Sequence, residues 1–347
     1  MDPMTRLLST RNSFLSADDL LLFYEEPDLD RWVPLDRYPR KFVRRILRRP
    51  STPGGVKRWF LNLCHGLDRL GVNYTINEYR RLKRPTSVAH VIGKAHVLEK
   101  LPRGTKVFYG PGVAAHPFDH DGHPTIWGTY DVKGLIIPCK WLAEMYRGEI
   151  PARIPINVWP AGIDTELWDR RNSQRPGRAV LFYDKIRWDR SYWCNTLLYP
   201  AMEYAKTSGW ELNYIRYGRY VEDEYRSALE RVDAMVFMCE HETQGFAYLQ
   251  ALSVGVPIFA WDMGGFWRDP SMFPDRVRFL GVTSVPYFDE RCGLKFRDLE
   301  MFIASWGAFV SAATNGGFDP RAFVTENFDL AGQARKYLKL TNNETST

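Results

Sequence analysis

The chain has 347 residues, enough for two domains, and an apolar content of 45% that is ordinary for a globular protein. No apolar run approaches the ~20 residues that a membrane-spanning helix needs, and no signal-peptide pattern opens the sequence. Its five cysteines are widely spaced and include no C-x-x-C pair, which argues against a disulfide framework and a zinc site. We therefore expect a reduced, cytoplasmic protein.

The first half of the chain alternates short apolar runs with helical stretches, a pattern typical of βα units rather than hairpins. The predicted strands are Leu20–Tyr24, Val72–Ile76, Val88–Ile92, Val107–Tyr109 and Gly134–Ile137. The predicted helices are Val56–Leu70 and Trp141–Tyr146. We assign residues 1–168 to an N-terminal domain.

A linker and a second domain follow. Residues 169–178, DRRNSQRPGR, are polar and contain a Pro-Gly pair, so they are the best linker candidate. A new strand is predicted at Ala179–Tyr183, and the alternation of strands and helices defines a second domain over residues 179–322. A final helix is predicted over residues 323–340, and the polar tail at 341–347 is expected to be disordered.

The net charge of +6 is concentrated in one segment. Residues 31–60 contain ten basic residues and one acid, so the rest of the chain carries −3. Within it, residues 40–49 (RKFVRRILRR) place apolar side chains at helical spacing, which predicts a cationic amphipathic helix. Such a helix can be a solvated surface helix, or it can contact anionic lipid headgroups. Nucleic acid is disfavoured as a partner because no nucleic-acid motif accompanies the patch.

Residues 233–262 form the most informative predicted unit. It comprises a strand at Asp233–Cys239, a helix at Gly245–Ser253 and a strand at Val256–Trp261. A β–loop–α–β unit belongs in a parallel sheet, where ligands bind beyond the carboxyl ends of the strands. The polar run from Glu240 to Gln244 holds that position, just ahead of the helix. This arrangement suits an anionic ligand, because a helix N-terminus presents free amides.

Three motifs follow one another along the chain. Residues 159–168 read WPAGIDTELW, Lys185 and Arg190 follow the first strand of the second domain, and Glu242 and Gln250 frame the start of the helix. In order and spacing these motifs resemble the retaining nucleotide-sugar glycosyltransferases of the GT-B fold, family 4 (glycosyl transferases group 1). The resemblance covers roughly residues 53–340. It implies an α/β protein with two Rossmann-like domains facing across a cleft and a C-terminal helix, residues 323–340, crossing back to the N-terminal domain.

The resemblance also implies roles for particular residues. Lys185 and Arg190 would hold the donor diphosphate, and Glu242 would accept hydrogen bonds from the donor sugar. In the family the first of the two basic residues is Arg and the second is Lys, whereas here Lys185 comes first and Arg190 second, with the same charge. The nucleotide-sugar contacts would be completed by the glycine loop and by the helix start, namely Gly54, Gly55, Gln244, Gly245, Phe246 and Gln250.

One of these residues departs from the family pattern, and one further family residue has two candidates in this sequence. Gln250 stands where the family has a second glutamate that accepts two hydrogen bonds from the ribose diol, whereas an amide can accept through one atom only. The family also has a histidine lining the reaction centre, and His116 is the candidate, with His90 competing. Binding of the nucleoside is expected to survive the glutamine but to be weaker.

Histidines and aspartates in residues 116–124 (HPFDHDGHP) could ligate a metal, but their spacing in a Pro- and Gly-containing loop favours ordinary surface residues. We therefore expect a metal-independent enzyme without a cofactor, in which the cationic side chains and helix amides stabilise the leaving diphosphate. In the alternative interpretation, Lys185 and Arg190 are solvated loop residues that form ion pairs with Asp184 and Asp189 and bind no ligand.

The predicted function is transfer of a sugar from a nucleoside-diphosphate sugar to an acceptor hydroxyl with retention of anomeric configuration. The acceptor is expected to be a carbohydrate or a lipid-linked sugar, as in surface polysaccharide or glycolipid assembly, with residues 40–49 as a possible contact to the inner face of the membrane. A nucleotide-sugar epimerase of the same fold and a non-catalytic nucleotide-sugar-binding protein are the alternatives. A nicotinamide dehydrogenase is disfavoured because no G-x-G-x-x-G opens a βαβ unit.

Overall fold

The computed structural model of the chain describes residues 20–26, 54–83, 87–93, 95–111, 123–170, 177–270, 273–275 and 277–342. The predicted cationic helix at residues 40–49, His116 and most of the predicted linker lie outside these ranges. Both β-sheets and all the helices described below lie within these ranges.

The N-terminal domain is built on a six-stranded parallel sheet with the strand order β2-β1-β3-β4-β5-β6. Its strands are β1 (Leu20–Phe23), β2 (Tyr74–Ile76), β3 (Val88–Val91), β4 (Lys106–Tyr109), β5 (Asp131–Ile137) and β6 (Ile156–Val158). Its helices are α1 (Gly55–Arg69), α2 (His123–Thr129) and α3 (Lys140–Arg147), with 3₁₀ turns at Tyr79–Lys83 and Ala95–Lys100. The predicted strands and helices of this half are confirmed, with small shifts at their ends.

The C-terminal domain has a five-stranded parallel sheet with the order β11-β10-β9-β7-β8. Its strands are β7 (Ala179–Asp184), β8 (Glu211–Arg216), β9 (Ala234–Met238), β10 (Ile258–Trp261) and β11 (Gly293–Phe296). Every residue of β7, β9 and β10 is buried, as expected for central parallel strands covered on both faces. The edge strand β8 contains no buried residue.

Helices cover both faces of this second sheet. They are α4 (Arg190–Trp193), which continues through a π-helical segment (Cys194–Leu198) into α5 (Tyr199–Thr207), then α6 (Glu222–Glu230), α7 (Phe246–Ser253), α8 (Leu299–Thr314), α9 (Pro320–Phe328) and α10 (Leu330–Asn342). The predicted β–loop–α–β unit is therefore β9, α7 and β10. In the described part of the chain, no helix is long and apolar enough to span a bilayer.

The predicted single helix over residues 323–340 is two helices in the structure. Asp329 interrupts it with an extended backbone (φ −58°, ψ 147°), and its carboxylate accepts a hydrogen bond from the amide of Gly332 at the start of α10. The side chain of an aspartate thus caps the second helix and ends the first. As a result α9 packs in the C-terminal core through Phe323 and Val324, and α10 alone returns to the N-terminal domain.

The returning helix α10 packs on α1. Tyr337 of α10 lies in a buried cluster with Trp59 and Trp159, whose rings stand edge-to-face 4.3 Å apart. The chain crosses between the domains near Ile163 and crosses back near Asp329. These two crossings lie side by side, since Ile163 and Asp329 form a parallel bridge. Residues Ile163 and Trp168 are already buried in the C-terminal core, so the chain leaves the N-terminal domain before residue 168.

Candidate functional site

The loops after β7 and β9 lie side by side, because these two strands pair directly in the sheet. Lys185 follows β7, and the polar run from Glu240 to Gln244 follows β9. Both loops therefore sit at the carboxyl edge of the sheet, the usual place for ligands in a doubly wound α/β domain. The N-terminal domain faces this edge, since Trp141 of α3 donates a hydrogen bond from its indole N–H to the carbonyl of Glu242 at 2.9 Å.

Lys185 and Glu242 form an ion pair through Nζ and Oε1. Their side chains are only 15% and 11% exposed. The ammonium group also lies 4.4 Å from the centre of the Tyr217 ring, a cation–π contact. Burial by itself would lower the pKa of Lys185, but the adjacent carboxylate of Glu242 holds that pKa above its usual value. The site therefore contains a cation paired directly with a carboxylate group.

Arg190, the other predicted diphosphate contact, is directed to a different partner. Its guanidinium binds both carboxylate oxygens of the fully buried Asp184, at 2.8 Å from Nη1 and 2.5 Å from Nη2. The hydroxyl of Tyr214 donates to the same carboxylate at 2.5 Å. Although burial opposes it, these hydrogen bonds hold the pKa of Asp184 below its usual value. The structure brings Lys185 and Glu242 together, whereas Arg190 is held by Asp184.

Gln250 lies in the interface between the two domains. With its amide oriented to suit its neighbours, Oε1 accepts hydrogen bonds from Arg58 Nη1 at 3.1 Å and from Trp168 Nε1 at 3.3 Å. Arg58 belongs to α1 of the N-terminal domain, and its other terminal nitrogen forms an ion pair with Glu222 of α6. The acceptor of Gln250 is thus already in use, and Arg58 bridges the cleft by contacts to two residues of the opposite domain.

The glycine loop before α1 leaves space around it. A Cβ added to Gly54 or to Gly55 would meet no heavy atom of a described residue within 4 Å. Gly54 is the N-cap residue of α1, and Arg58 lies one turn further along the same helix. As far as the described residues go, a ligand could therefore approach the backbone of these two glycines.

The start of α7 is shaped by three of the predicted residues. Gln244 is buried, and its amide group exchanges two hydrogen bonds with the backbone of Ala161, at 2.7 and 3.1 Å. Gly245 has φ +76°, and a Cβ there would lie 2.0 Å from the Tyr248 ring, so the position requires glycine. Phe246 packs against the cores of both domains. Its N-cap residue, Gly245, has no side chain, and no side chain among the described residues caps this helix, which leaves its first amides available to an anion.

Two histidines that the structure describes are buried. His90 accepts or donates a hydrogen bond through Nδ1 to the Tyr337 hydroxyl at 3.0 Å, and burial lowers its pKa to about 3. It belongs to the core between α10 and the first sheet, away from the Lys185–Glu242 pair. His116 lies outside the described residues. Among the residues with coordinates, no group of three or more His, Cys, Asp or Glu comes together as a metal site.

His241, next to Glu242, lies in the polar run predicted to face the ligand, but the sequence predicted no role of its own for it. Burial, together with the nearby charges of Arg187 and Lys185, lowers its pKa to about 2, so the ring is neutral. Arg187 Nη2 lies 3.3 Å from Nδ1, and because a guanidinium can only donate, the ring proton belongs on Nε2. That nitrogen is buried and has no hydrogen-bond partner among the described residues.

Arg58 and Trp141 were also missed. Arg58 gave one usable signal, a basic residue in the first turn of a helix that follows a glycine pair. Trp141 gave none, since 101 positions separate it from Glu242 and only the packing of the two domains brings them together.

The chain was compared with known proteins. Neither the protein-family models nor the curated proteins gave a match. Among solved structures, the chain is similar to a sucrose-phosphate synthase from Thermosynechococcus elongatus at 12% identity, with a TM-score of 0.55 and coverage of 94% of this chain and 99% of that chain. It is also similar to TarM (12% identity, TM-score 0.51, 82% of this chain and 58% of that one) and to the apo form of the lipopolysaccharide outer core galactosyltransferase WaaB (12% identity, TM-score 0.50, 84% and 97%). At this identity the likeness concerns the fold, and it agrees with the two parallel sheets: the chain has the two-domain α/β architecture of GT-B glycosyltransferases.

Proposed function

We propose that the protein is a glycosyltransferase that moves a sugar from a nucleoside-diphosphate sugar to an acceptor hydroxyl with retention of configuration. The observation that carries this proposal is the Lys185–Glu242 pair, a cation and a carboxylate that are only slightly exposed, lie beyond the ends of adjacent strands and face the other domain. The uncapped N-terminus of α7 beside it adds free amides. This combination matches a leaving group that becomes doubly anionic next to a sugar rich in hydroxyls.

In the reaction we propose, the acceptor oxygen forms a bond to the anomeric carbon as the bond from that carbon to the diphosphate oxygen breaks. The departing phosphate oxygen takes the proton of the acceptor hydroxyl, which lets attack occur on the same face. Lys185 stabilises the charge that develops on the diphosphate, and Glu242 accepts hydrogen bonds from the donor sugar and fixes its orientation. No metal ion has a part in this scheme.

Arg190 has a less direct place in the proposal. Its guanidinium is fixed by the bidentate contact to Asp184, so it is pre-oriented, and its side chain remains 25% exposed. Only N–H groups that Asp184 does not use could reach the diphosphate. We therefore assign the main phosphate contact to Lys185 and the helix amides, and a supporting one to Arg190.

Gln250 bears on the nucleoside. If the ribose binds here, as the family resemblance implies, its hydroxyls compete with Arg58 for the single amide oxygen. Nucleoside binding then requires Arg58 to move, and it is weaker than in a protein with a carboxylate at this position.

The proposal also covers the class of acceptor and contact with a membrane surface. A carbohydrate or lipid-linked acceptor in surface polysaccharide or glycolipid assembly accords with the cationic sequence at residues 40–49, which suits an anionic membrane surface. Vesicles with anionic lipid should bind the wild-type chain and release a variant in which Arg44, Arg45, Arg48 and Arg49 are changed to Ser. Equal binding of both would contradict the membrane contact.

The proposal is tested first by thermal shift with UDP, GDP, ADP, TDP and CMP, because a ligand that binds only the native state raises its melting temperature. We expect one nucleotide to stabilise the wild type and to lose that effect in Lys185→Ala. Lys133→Ala is the matched control, since Lys133 pairs with Asp131 at 3.1 Å on the exposed part of β5. It should behave as the wild type does.

Turnover is tested with the nucleotide sugar of the base so identified. Lys185→Ala and Glu242→Gln should each lower kcat by about 100- to 1000-fold, the usual effect of removing one group that stabilises the transition state. The anomeric configuration of the product is read by NMR. Unchanged turnover in both folded variants would contradict the site, and inversion would contradict the same-face mechanism. Conversion of the donor alone would indicate an epimerase instead.

A further inference from the structure

A second concave surface adjoins the Lys185–Glu242 pair. It is a cleft of about 580 Å³ between the start of α4 and the loop after β10. Its lining residues are Asp189, Arg190, Ser191, Tyr192, Trp193 and Arg268. Neither Lys185 nor Glu242 lines it. The volume is in the range of small-molecule sites, about 300–1,000 Å³, but the cleft is shallow and largely open to solvent.

The cleft and the proposed donor site are neighbours. Trp188 precedes the cleft residue Asp189, and Trp267 precedes Arg268; their rings lie 5.0 and 6.4 Å from that of His241, the residue next to Glu242. Arg190, the first residue of α4, lines the cleft and closely follows Lys185 in the sequence. A molecule in the cleft would therefore lie beside a donor held by Lys185 and Glu242, as a group-transfer reaction requires of its two substrates.

One wall of the cleft is aromatic and supported from behind. Tyr192 is 59% exposed, although its ring is large and apolar. It stands edge-to-face on Trp193 at 4.9 Å, and Trp193 in turn packs on the fully buried Trp261 at 4.9 Å. The exposed ring is thus held on a stack anchored in the core. A fixed aromatic face in water, with a hydroxyl at its edge, is suited to the C–H face of a sugar ring.

Two charged side chains of the cleft, Asp189 and Arg268, are not engaged by the described residues. Asp189 and Arg268 are both exposed, and the side chains of both lack an ion pair or hydrogen bond to any described residue. A carboxylate accepts from two hydroxyls, and a guanidinium donates to two oxygens, so the two groups together can bind neighbouring sugar hydroxyls.

The charges of the cleft balance. Arg190 is neutralised by Asp184, and the carboxylate of Asp189 offsets the guanidinium of Arg268. The lining taken together with Asp184 carries no net charge, and its attraction for an anion is confined to the Arg190 N–H groups that Asp184 does not use. The lining therefore favours a neutral sugar over an anion.

We propose that this cleft is a carbohydrate-binding subsite for a neutral sugar ring, which stacks on Tyr192 and is hydrogen-bonded by Asp189 and Arg268. Its identity as the acceptor subsite rests on the proposed function, whereas sugar binding by the cleft does not.

Binding is tested by saturation-transfer NMR with the methyl glycosides of glucose, galactose, mannose and N-acetylglucosamine. Inorganic phosphate and glucose 6-phosphate are tested in the same way as anionic ligands for comparison with the neutral glycosides. We expect at least one neutral glycoside to bind the wild type and Tyr192→Phe, which keeps the ring. The same glycoside should bind at least fivefold more weakly to Tyr192→Ala, Asp189→Asn and Arg268→Ala. Melting temperatures establish that each variant is folded.

Three results would overturn the proposal. These are binding of none of the four glycosides, equal binding in Tyr192→Ala and the wild type, and displacement of the glycoside by inorganic phosphate. The thermal shift with nucleoside diphosphates should be the same in Tyr192→Ala as in the wild type. If a glycoside binds but no nucleoside diphosphate raises the melting temperature, the proposed sugar subsite is supported and the proposed donor site is contradicted. If a nucleoside diphosphate raises the melting temperature but no glycoside binds, only the sugar subsite is contradicted. Where transfer is measured, Tyr192→Ala should raise the KM for the acceptor and leave that for the donor unchanged.

Discussion

Gly66 is the position at which the return of the C-terminal helix can be tested most directly. It lies inside α1 where α10 packs on it. A Cβ added there would stand 2.4 Å from the carbonyl oxygen of Leu330 and 2.9 Å from the Cβ of Ala334. One of these atoms is backbone and the other is fixed to it, so no side-chain rotation can relieve the overlap. The two helices would have to separate.

Two opposing effects decide the size of the change in Gly66→Ala. Alanine is favoured over glycine inside a helix by about 1 kcal/mol. Overpacking of a close contact costs typically about 1–3 kcal/mol, and here both opposing atoms are rigid, which argues for the upper part of that range. We expect a net loss of about 1–2 kcal/mol in the free energy of unfolding. Gly307→Ala in α8 is the matched control, since a Cβ there meets no atom within 4 Å.

The assay is urea unfolding of both variants followed by circular dichroism, with limited proteolysis to detect release of α10. Gly307→Ala should gain about 0.5–1 kcal/mol, because it receives the helix propensity without the overlap. Gly66→Ala should unfold at lower urea and be cleaved sooner near residue 329. Equal stability of the two alanine variants would refute the close packing of α10 on α1.

Two further predictions concern the polar contacts. Gln250→Leu leaves the N–H groups of Arg58 and Trp168 without their shared acceptor, so unfolding should become easier by about 1–3 kcal/mol, whereas Gln250→Glu keeps the acceptor and should not lose stability. An unchanged urea midpoint in the leucine variant would contradict this contact. Asp184→Asn should cost about 2–4 kcal/mol at neutral pH, because it leaves the Arg190 charge uncompensated. Since the pKa of Asp184 is lowered in the folded state, the wild type gains this stability above the ordinary carboxyl pKa of about 4 and loses it as the pH falls below that value. Its advantage over the asparagine variant should therefore shrink towards pH 3, and parallel stability curves would contradict the assignment.

The sequence by itself determined most of the secondary structure and which loops share one edge of the second sheet, although it did not reveal the break between helices at Asp329. Strands such as β7, β9 and β10 are continuous apolar runs, and this local pattern is enough to predict buried parallel strands. Once the strands are parallel, the residues that follow them must share one edge, which is why Lys185 and Glu242 could be placed in one site.

Tertiary structure decided which partner each polar side chain has. Lys185 and Arg190 have the same charge and lie close together in the sequence, yet Lys185 binds Glu242 and Arg190 binds Asp184. The contact of Gln250 with Arg58 and the contact of Trp141 with Glu242 each join two domains. Hydrogen bonds and ion pairs act over only a few ångströms and leave no periodic trace in the sequence, so only the packing of the two domains, and not the sequence pattern, fixes these partners.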